Sequence, residues 1–203
     1  MAKIIHHGIQ RSGTNYLYEC LSQLNQRPLY PDPAPERNNP RHKHFRWQKD
    51  KTSIPSCIFN QYSNTISASS IDEINKICNY NDVFHIVMKK DIKKWIISIL
   101  NWGVHCNWFS EYNALTYSKE LIKDYTEYYK FWDELALTSD KIIITSVQKI
   151  HNNFDGFLDV LNEHNVTIDR KQNFYGIIEE VLLSPVGRKN LFAHVDVDKI
   201  LQS

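Results

Sequence analysis

Apolar positions along the chain change their period several times, and the changes mark out elements. Ile4 and Ile5 sit in a short run from Lys3 to His7 that reads as a strand. Gly8 to Gly13 breaks the pattern. From Thr14 to Leu24, the residues Leu17, Cys20, Leu21 and Leu24 recur at helical spacing. The chain therefore opens as strand, glycine-bounded loop and helix. Asn25 to Pro40 holds Pro28, Pro31, Pro33, Pro35 and Pro40 and reads as an irregular connector. His42 to Trp47 reads as a short extended segment and Ser56 to Asn60 as a strand. Ser70 to Ile77 reads as a helix, with Ser70 as its cap and Glu73 at the capping-box position.

Asp82 to Met88, DVFHIVM, is nearly continuous in apolar residues, as in a central strand covered on both faces. Asp91 to Leu100 follows as a helix carrying Trp95, Ile96, Ile99 and Leu100. Trp102 to Leu115 is aromatic and irregular, and Ser118 to Leu137 is a long helix. Lys141 to Thr145, KIIIT, reads as a strand. Phe154 to His164 and Phe174 to Leu183 read as helices, and Pro185 to Ser203 as a tail. Strands alternate with helices, which predicts an α/β fold with a mostly parallel central sheet flanked by helices. The 203 residues suit one domain. Residues 102–140 would form a helical elaboration beside it.

Charge narrows the chemistry. With 24 basic and 23 acidic residues the net charge is +1, so any anion site must be local. The longest basic stretch, Arg41 to Lys51 (RHKHFRWQKDK), is too isolated to predict a nucleic-acid binder. Cys20, Cys57, Cys78 and Cys106 match neither a zinc module nor a disulfide scaffold and read as reduced thiols of a cytoplasmic protein. The N-terminus lacks the apolar run of a signal peptide, and no stretch is long enough to span a membrane.

The loop Gly8 to Asn15, GIQRSGTN, is the candidate for local anion binding. A loop that leaves a strand and opens a helix presents free backbone N–H groups and the positive end of the helix dipole. Gly8 and Gly13 allow close backbone approach, Ser12 and Thr14 add hydroxyls, and Arg11 adds a forked cation. The glycine spacing is that of G-x-x-x-x-G-K-[ST]. Here, however, Thr14 replaces the lysine and Asn15 the metal-binding hydroxyl. That pattern predicts an anion site working without Mg²⁺. A nucleotide or nucleoside kinase with a degenerate loop is the alternative.

Arg11-Ser12-Gly13-Thr14, between an apolar strand and a helix, resembles the 5′-phosphosulfate loop of sulfotransferases that use 3′-phosphoadenosine 5′-phosphosulfate (PAPS). A second element of that family is a strand, then a basic residue, then a serine eight positions on, together binding the donor's 3′-phosphate. Lys90 and Ser98 fall on these positions after the strand ending at Met88, with Lys89 as a register-shifted alternative. Lysine in place of the usual arginine keeps the charge but loses the bidentate fork. The family's Tyr-Glu-x-Leu turn has no counterpart in Ser146 to Ile150. Gly187-Arg188-Lys189-Asn190 resembles the basic C-terminal segment that covers the donor.

The resemblance implies a three-layer P-loop-like fold and donor contacts from Gly8, Arg11, Ser12, Gly13, Thr14, Asn15, Tyr16, Lys90, Ser98 and Arg188. It also implies in-line sulfuryl transfer to a hydroxyl or amine of a small-molecule or glycan acceptor, without a metal. Arg41-His42-Lys43-His44-Phe45-Arg46 is similar to the family's Lys-x-His element. That makes His44 the expected base and Lys43 the leaving-group cation, beside Arg11. His42 is an alternative base, and Glu19 and Glu36 remain open as carboxylate bases. A non-catalytic relative that keeps the fold and nucleotide site is the further alternative. His6 and His7 point to opposite faces of their strand and are expected to be structural. Trp102, Trp108, Phe109, Tyr112 and Tyr117 form either packing or an acceptor-side surface.

Overall fold

The computed structural model describes residues 2–24, 26, 28–29, 47–48, 66–166, 168 and 190–202. In chain order the elements are β1 (Lys3–His7), α1 (Thr14–Gln23), β2 (Trp47–Gln48), β3 (Ile66–Ser67) and α2 (Ile71–Cys78). Next come β4 (Val83–Met88), α3 (Ile92–His105), a 3-10 turn at Ala114–Tyr117 and α4 (Ser118–Ala136). β5 (Ile142–Thr145), α5 (Val147–Asn152), α6 (Phe154–Glu163) and α7 (Val197–Gln202) follow.

The fold is mixed α/β around a three-stranded parallel sheet, in the order β1-β4-β5. Lys3 pairs with Val83 and His7 with Val87, and His85 pairs with Ile142 and Met88 with Thr145. On the other edge of β1, Leu29 forms a parallel bridge with Ile5, its N–H donating to the Ile4 carbonyl at 2.7 Å. β2 and β3 form a separate two-residue parallel pair.

β4 is buried at every residue, which its unbroken apolar run requires. Alternate residues feed two cores. Ile4, Phe84, Ile86 and Met88 pack with Leu17, Cys20 and Leu21 of α1 and with Phe157, Leu158 and Leu161 of α6. Val87 and Ile142 pack with Ile74 of α2, Trp95, Ile96 and Leu100 of α3, and Leu121, Tyr129 and Trp132 of α4. α1 and α3 thus leave neighbouring strands, β1 and β4, toward opposite faces of the sheet. In open parallel sheets such a point leaves a crevice at the carboxyl ends of the strands.

Local chemistry explains most boundaries. Ser70 caps α2 by accepting the Glu73 N–H at 3.2 Å. The Glu73 carboxylate instead accepts from the N–H and hydroxyl of Ser69, one residue before the expected partner. α3 runs five residues beyond its expected end, through Gly103 to His105. The helix tolerates this glycine because Phe109 lies flat on it. A Cβ at Gly103 would meet the ring at 2.2 Å, so ring packing offsets the cost of about 1 kcal/mol for a helical glycine. Ser146 caps a short α5, its hydroxyl accepting the Lys149 N–H at 3.1 Å. The strand expected at 56–60 and the helix at 174–183 lie outside the described residues, as does the extended segment expected at 42–47 except for Trp47, which begins β2.

Candidate functional site

The turn from β1 into α1 is built by positive φ angles. Gly8 lies at φ +156° and Gly13 at +106°, and Arg11 adopts a left-handed φ of 67° despite its side chain. Neither glycine can carry a Cβ. One at Gly8 would sit 2.4 Å from Ser12 Oγ and 2.7 Å from Thr14 Cγ2, and one at Gly13 would sit 2.5 Å from Val147 Cγ2. Gly13 is the N-cap of α1, so no side chain caps that helix, and its first turn holds no acidic residue. The opening N–H groups and the positive helix end are left without a counter-charge from the helix itself.

Ser12 adds an independent sign. It is 1% exposed, and its hydroxyl has no hydrogen-bond partner among the described residues. A buried hydroxyl in that state is costly, and an anion at the helix start would accept from it. Thr14 is also buried and Asn15 is exposed. The Tyr16 side chain enters the core between the sheet and α6 beside Cys20, so only its backbone N–H stays with the loop. Burial pushes the Cys20 thiol up to about 12, leaving it protonated.

The second half of the site starts at the end of β4, where the two lysines go different ways. Lys89 Nζ pairs with Asp133 of α4 at 2.8 Å and lies 5.2 Å from the Tyr129 ring centre. Lys90 is half-buried beside the loop. Burial, then the Arg11 and Lys94 charges, hold its ammonium below the usual lysine range. The register alternative at Lys89 is therefore committed to α4, and Lys90 is the residue that joins Arg11. Arg11 Nε donates to Ser98 Oγ at 3.2 Å, and its guanidinium carbon lies 5.1 Å from the Trp102 ring centre. Arg11, Lys90, Lys94 and Ser98 thus gather from segments some 80 positions apart in the chain.

Residues 190–202 are tied to the helix carrying Ser98. Asn101 donates to Asn190 Oδ1 at 3.0 Å and accepts the Leu191 N–H at 2.8 Å. Phe192 is buried, and Lys93 pairs with Asp198 at 2.6 Å. Arg188 lies outside the described residues, as do His42, Lys43, His44 and Glu36. Glu19 is exposed on α1.

Both strand histidines are fully buried. His6 Nδ1 lies 3.2 Å from the Leu29 carbonyl, and its ring faces Tyr18 of α1. His7, on the other face, bonds through Nε2 to His85 Nδ1 at 2.9 Å, and His85 Nε2 meets Asn75 Oδ1 at 3.0 Å. Because the carboxamide oxygen only accepts, His85 carries its proton on Nε2 and His7 donates to its Nδ1. Burial holds His85 down to about 3 and His7 well below its ordinary range, so both are neutral and serve packing.

Trp102, read from the sequence as packing or an acceptor-side surface, sits one turn beyond Ser98 on the same helix face and meets Arg11. Trp95, whose indole bonds the loop, was legible only as an apolar residue of its helix. The remaining aromatic residues divide. Phe109 stacks on Tyr117 at 5.3 Å, while Tyr112 is wholly exposed. Clefts at the opposite, amino ends of the strands are lined by Asp72, Asp82, Asp140 and Lys141, a mixture that does not suit an anion. Among the described residues no set of three His, Cys, Asp or Glu side chains could hold a metal ion, and no helix is long and apolar enough to cross a membrane. Comparisons with protein-family models, curated proteins and solved structures found no match to the chain.

Proposed function

We propose that this chain is a PAPS-dependent sulfotransferase of the cytoplasm, built on a three-layer P-loop-like fold. The observation carrying this reading is the meeting of Arg11 with Ser98 beside Lys90. Two segments, each resembling half of a donor site, converge on one cationic cluster. In this reading the backbone of Gly8 to Tyr16, the Ser12 hydroxyl and Arg11 hold the 5′-phosphosulfate. Lys90 and Ser98 hold the 3′-phosphate, and Arg188 reaches the donor from the C-terminal segment. The S–O bond to the 5′-phosphate breaks as a new bond forms from sulfur to a small-molecule or glycan acceptor, S–O to a hydroxyl or S–N to an amine. His44 takes the acceptor proton, with Lys43 and Arg11 neutralising the departing phosphate, and adenosine 3′,5′-bisphosphate leaves.

Calorimetry with adenosine 3′,5′-bisphosphate tests the donor site. Arg11→Ala and Lys90→Ala are each expected to weaken binding about 10- to 100-fold, the range of one charged hydrogen bond. No binding to the wild-type protein would sink the reading, and Mg²⁺-dependent ATP turnover would replace it with a kinase. His44→Ala should abolish transfer while leaving nucleotide binding intact. Nucleotide binding without any transfer by the wild type would mark a non-catalytic relative.

A further inference from the structure

The loop and the Lys90 turn hang on one aromatic stack. Trp95, on α3 and 1% exposed, donates its indole N–H to the Gln10 carbonyl at 2.8 Å. In a trans peptide the carbonyl and the following N–H point in opposite directions. Trp95 therefore sets the direction of the Arg11 N–H and anchors the start of the left-handed turn. The Tyr125 ring of α4 lies 5.0 Å from Trp95, tilted by 47°, and its hydroxyl donates to the Lys90 carbonyl at 2.5 Å. Tyr129, 4.6 Å from Tyr125, donates to the Met88 carbonyl at 2.6 Å. The carbonyls on both sides of Lys89 are thus held from α4, while the loop is held from α3.

We propose that Trp95 and Tyr125 are positioning residues for the two anion subsites: Trp95 fixes the loop that takes the 5′-phosphate, and Tyr125 fixes the Lys90 turn that gives the site its preference for a nucleotide phosphorylated at both 5′ and 3′ over one phosphorylated at 5′ alone. This rests on the donor reading above. Each subsite has its own hook, Trp95 for the loop and Tyr125 for Lys90. Burial and the nearby Asp91 and Asp133 charges push the Tyr125 phenol up to about 12, so its hydroxyl stays a donor at neutral pH.

The test compares binding of adenosine 3′,5′-bisphosphate and adenosine 5′-phosphate to the full chain by calorimetry, with thermal midpoints recorded alongside. Trp95→Phe removes the indole N–H and keeps a ring. It is expected to weaken both nucleotides about five- to tenfold, the loss of one buried hydrogen bond. Tyr125→Phe removes only the hydroxyl. It is expected to weaken the bisphosphate by a similar factor and leave the 5′-phosphate unchanged, so the ratio of the two affinities falls. A purely structural role would lower the thermal midpoint without moving that ratio. An unchanged ratio in Tyr125→Phe, or unchanged affinities in Trp95→Phe, overturns the proposal while wild-type binding leaves the donor reading standing. Failure of the wild type to bind the bisphosphate overturns both.

Discussion

α1 and α3 begin side by side, at the carboxyl ends of the neighbouring parallel strands β1 and β4, and they are finished in opposite ways. α3 supplies its own anion. Asp91 is its cap, and its carboxylate accepts the Lys94 N–H at 3.1 Å. α1 begins on a left-handed glycine with no side-chain cap and no acid in its first turn, and the loop before it carries Arg11, which lies beside Lys90. α2, α5 and α6 follow α3, each capped by Ser70, Ser146 or Asn153. A helix start stripped of its counter-charge and ringed with cations gives up stability, and an incoming anion restores the balance.

The largest expected effect comes from loosening the strands that hold the two starts together. His7 on β1 and His85 on β4 are linked as neutral rings. Their folded pKa values are depressed, so the unfolded chain binds protons that the folded chain refuses. The stability they contribute is complete above about pH 6.5 and drains away as pH falls toward about 3. Denaturant titrations at stepped pH should show a loss on the order of several kcal/mol across that window. A flat profile there would mean that the histidines do not bind the strands as described.

Gly13→Ala comes next. It forces a Cβ into Val147 at a φ of +106° and should cost about 1–3 kcal/mol in urea unfolding, since the α1 start can be built only from glycine. Asp91→Ala should cost about 0.5–2 kcal/mol by the same measurement, the usual loss of a cap. The smallest effect is the sharpest test of the comparison. Asn15→Asp gives the first turn of α1 the carboxylate it lacks. Unfolding stability should rise by about 0.3–1 kcal/mol while adenosine 3′,5′-bisphosphate binds more weakly. If stability and affinity rose together, α1 would not be an anion-accepting start.

Much of this arrangement was legible in the residues. The apolar run of β4 announced a strand covered on both faces, and every residue of it is buried. Gly8 and Gly13 announced close backbone approach, and both have positive φ with a Cβ position that neighbouring side chains already occupy. Ser70 announced the α2 cap correctly, although Glu73 turned to Ser69. The end of α3 was misjudged because Gly103 and the aromatic residues after it look like a break. Only the ring of Phe109, folding back over the glycine, shows why the helix continues.

The sequence by itself determined β1, α1, α2, β4, α4, β5 and α6, the glycine start of α1 and the cations Arg11 and Lys90, because periodicity, capping and glycine conformation are local properties of the chain. It favoured Lys90 by register but left Lys89, an adjacent residue of equal charge, as an alternative. That choice needed Asp133 and Tyr129 on α4 to draw Lys89 away, leaving Lys90 to Arg11. Nor could it show that Arg11 reaches Ser98 or that Trp95 holds Gln10, because those contacts span more than 80 residues. They exist only once β1 and β4 pair in parallel and bring their carboxyl ends to the same edge of the sheet.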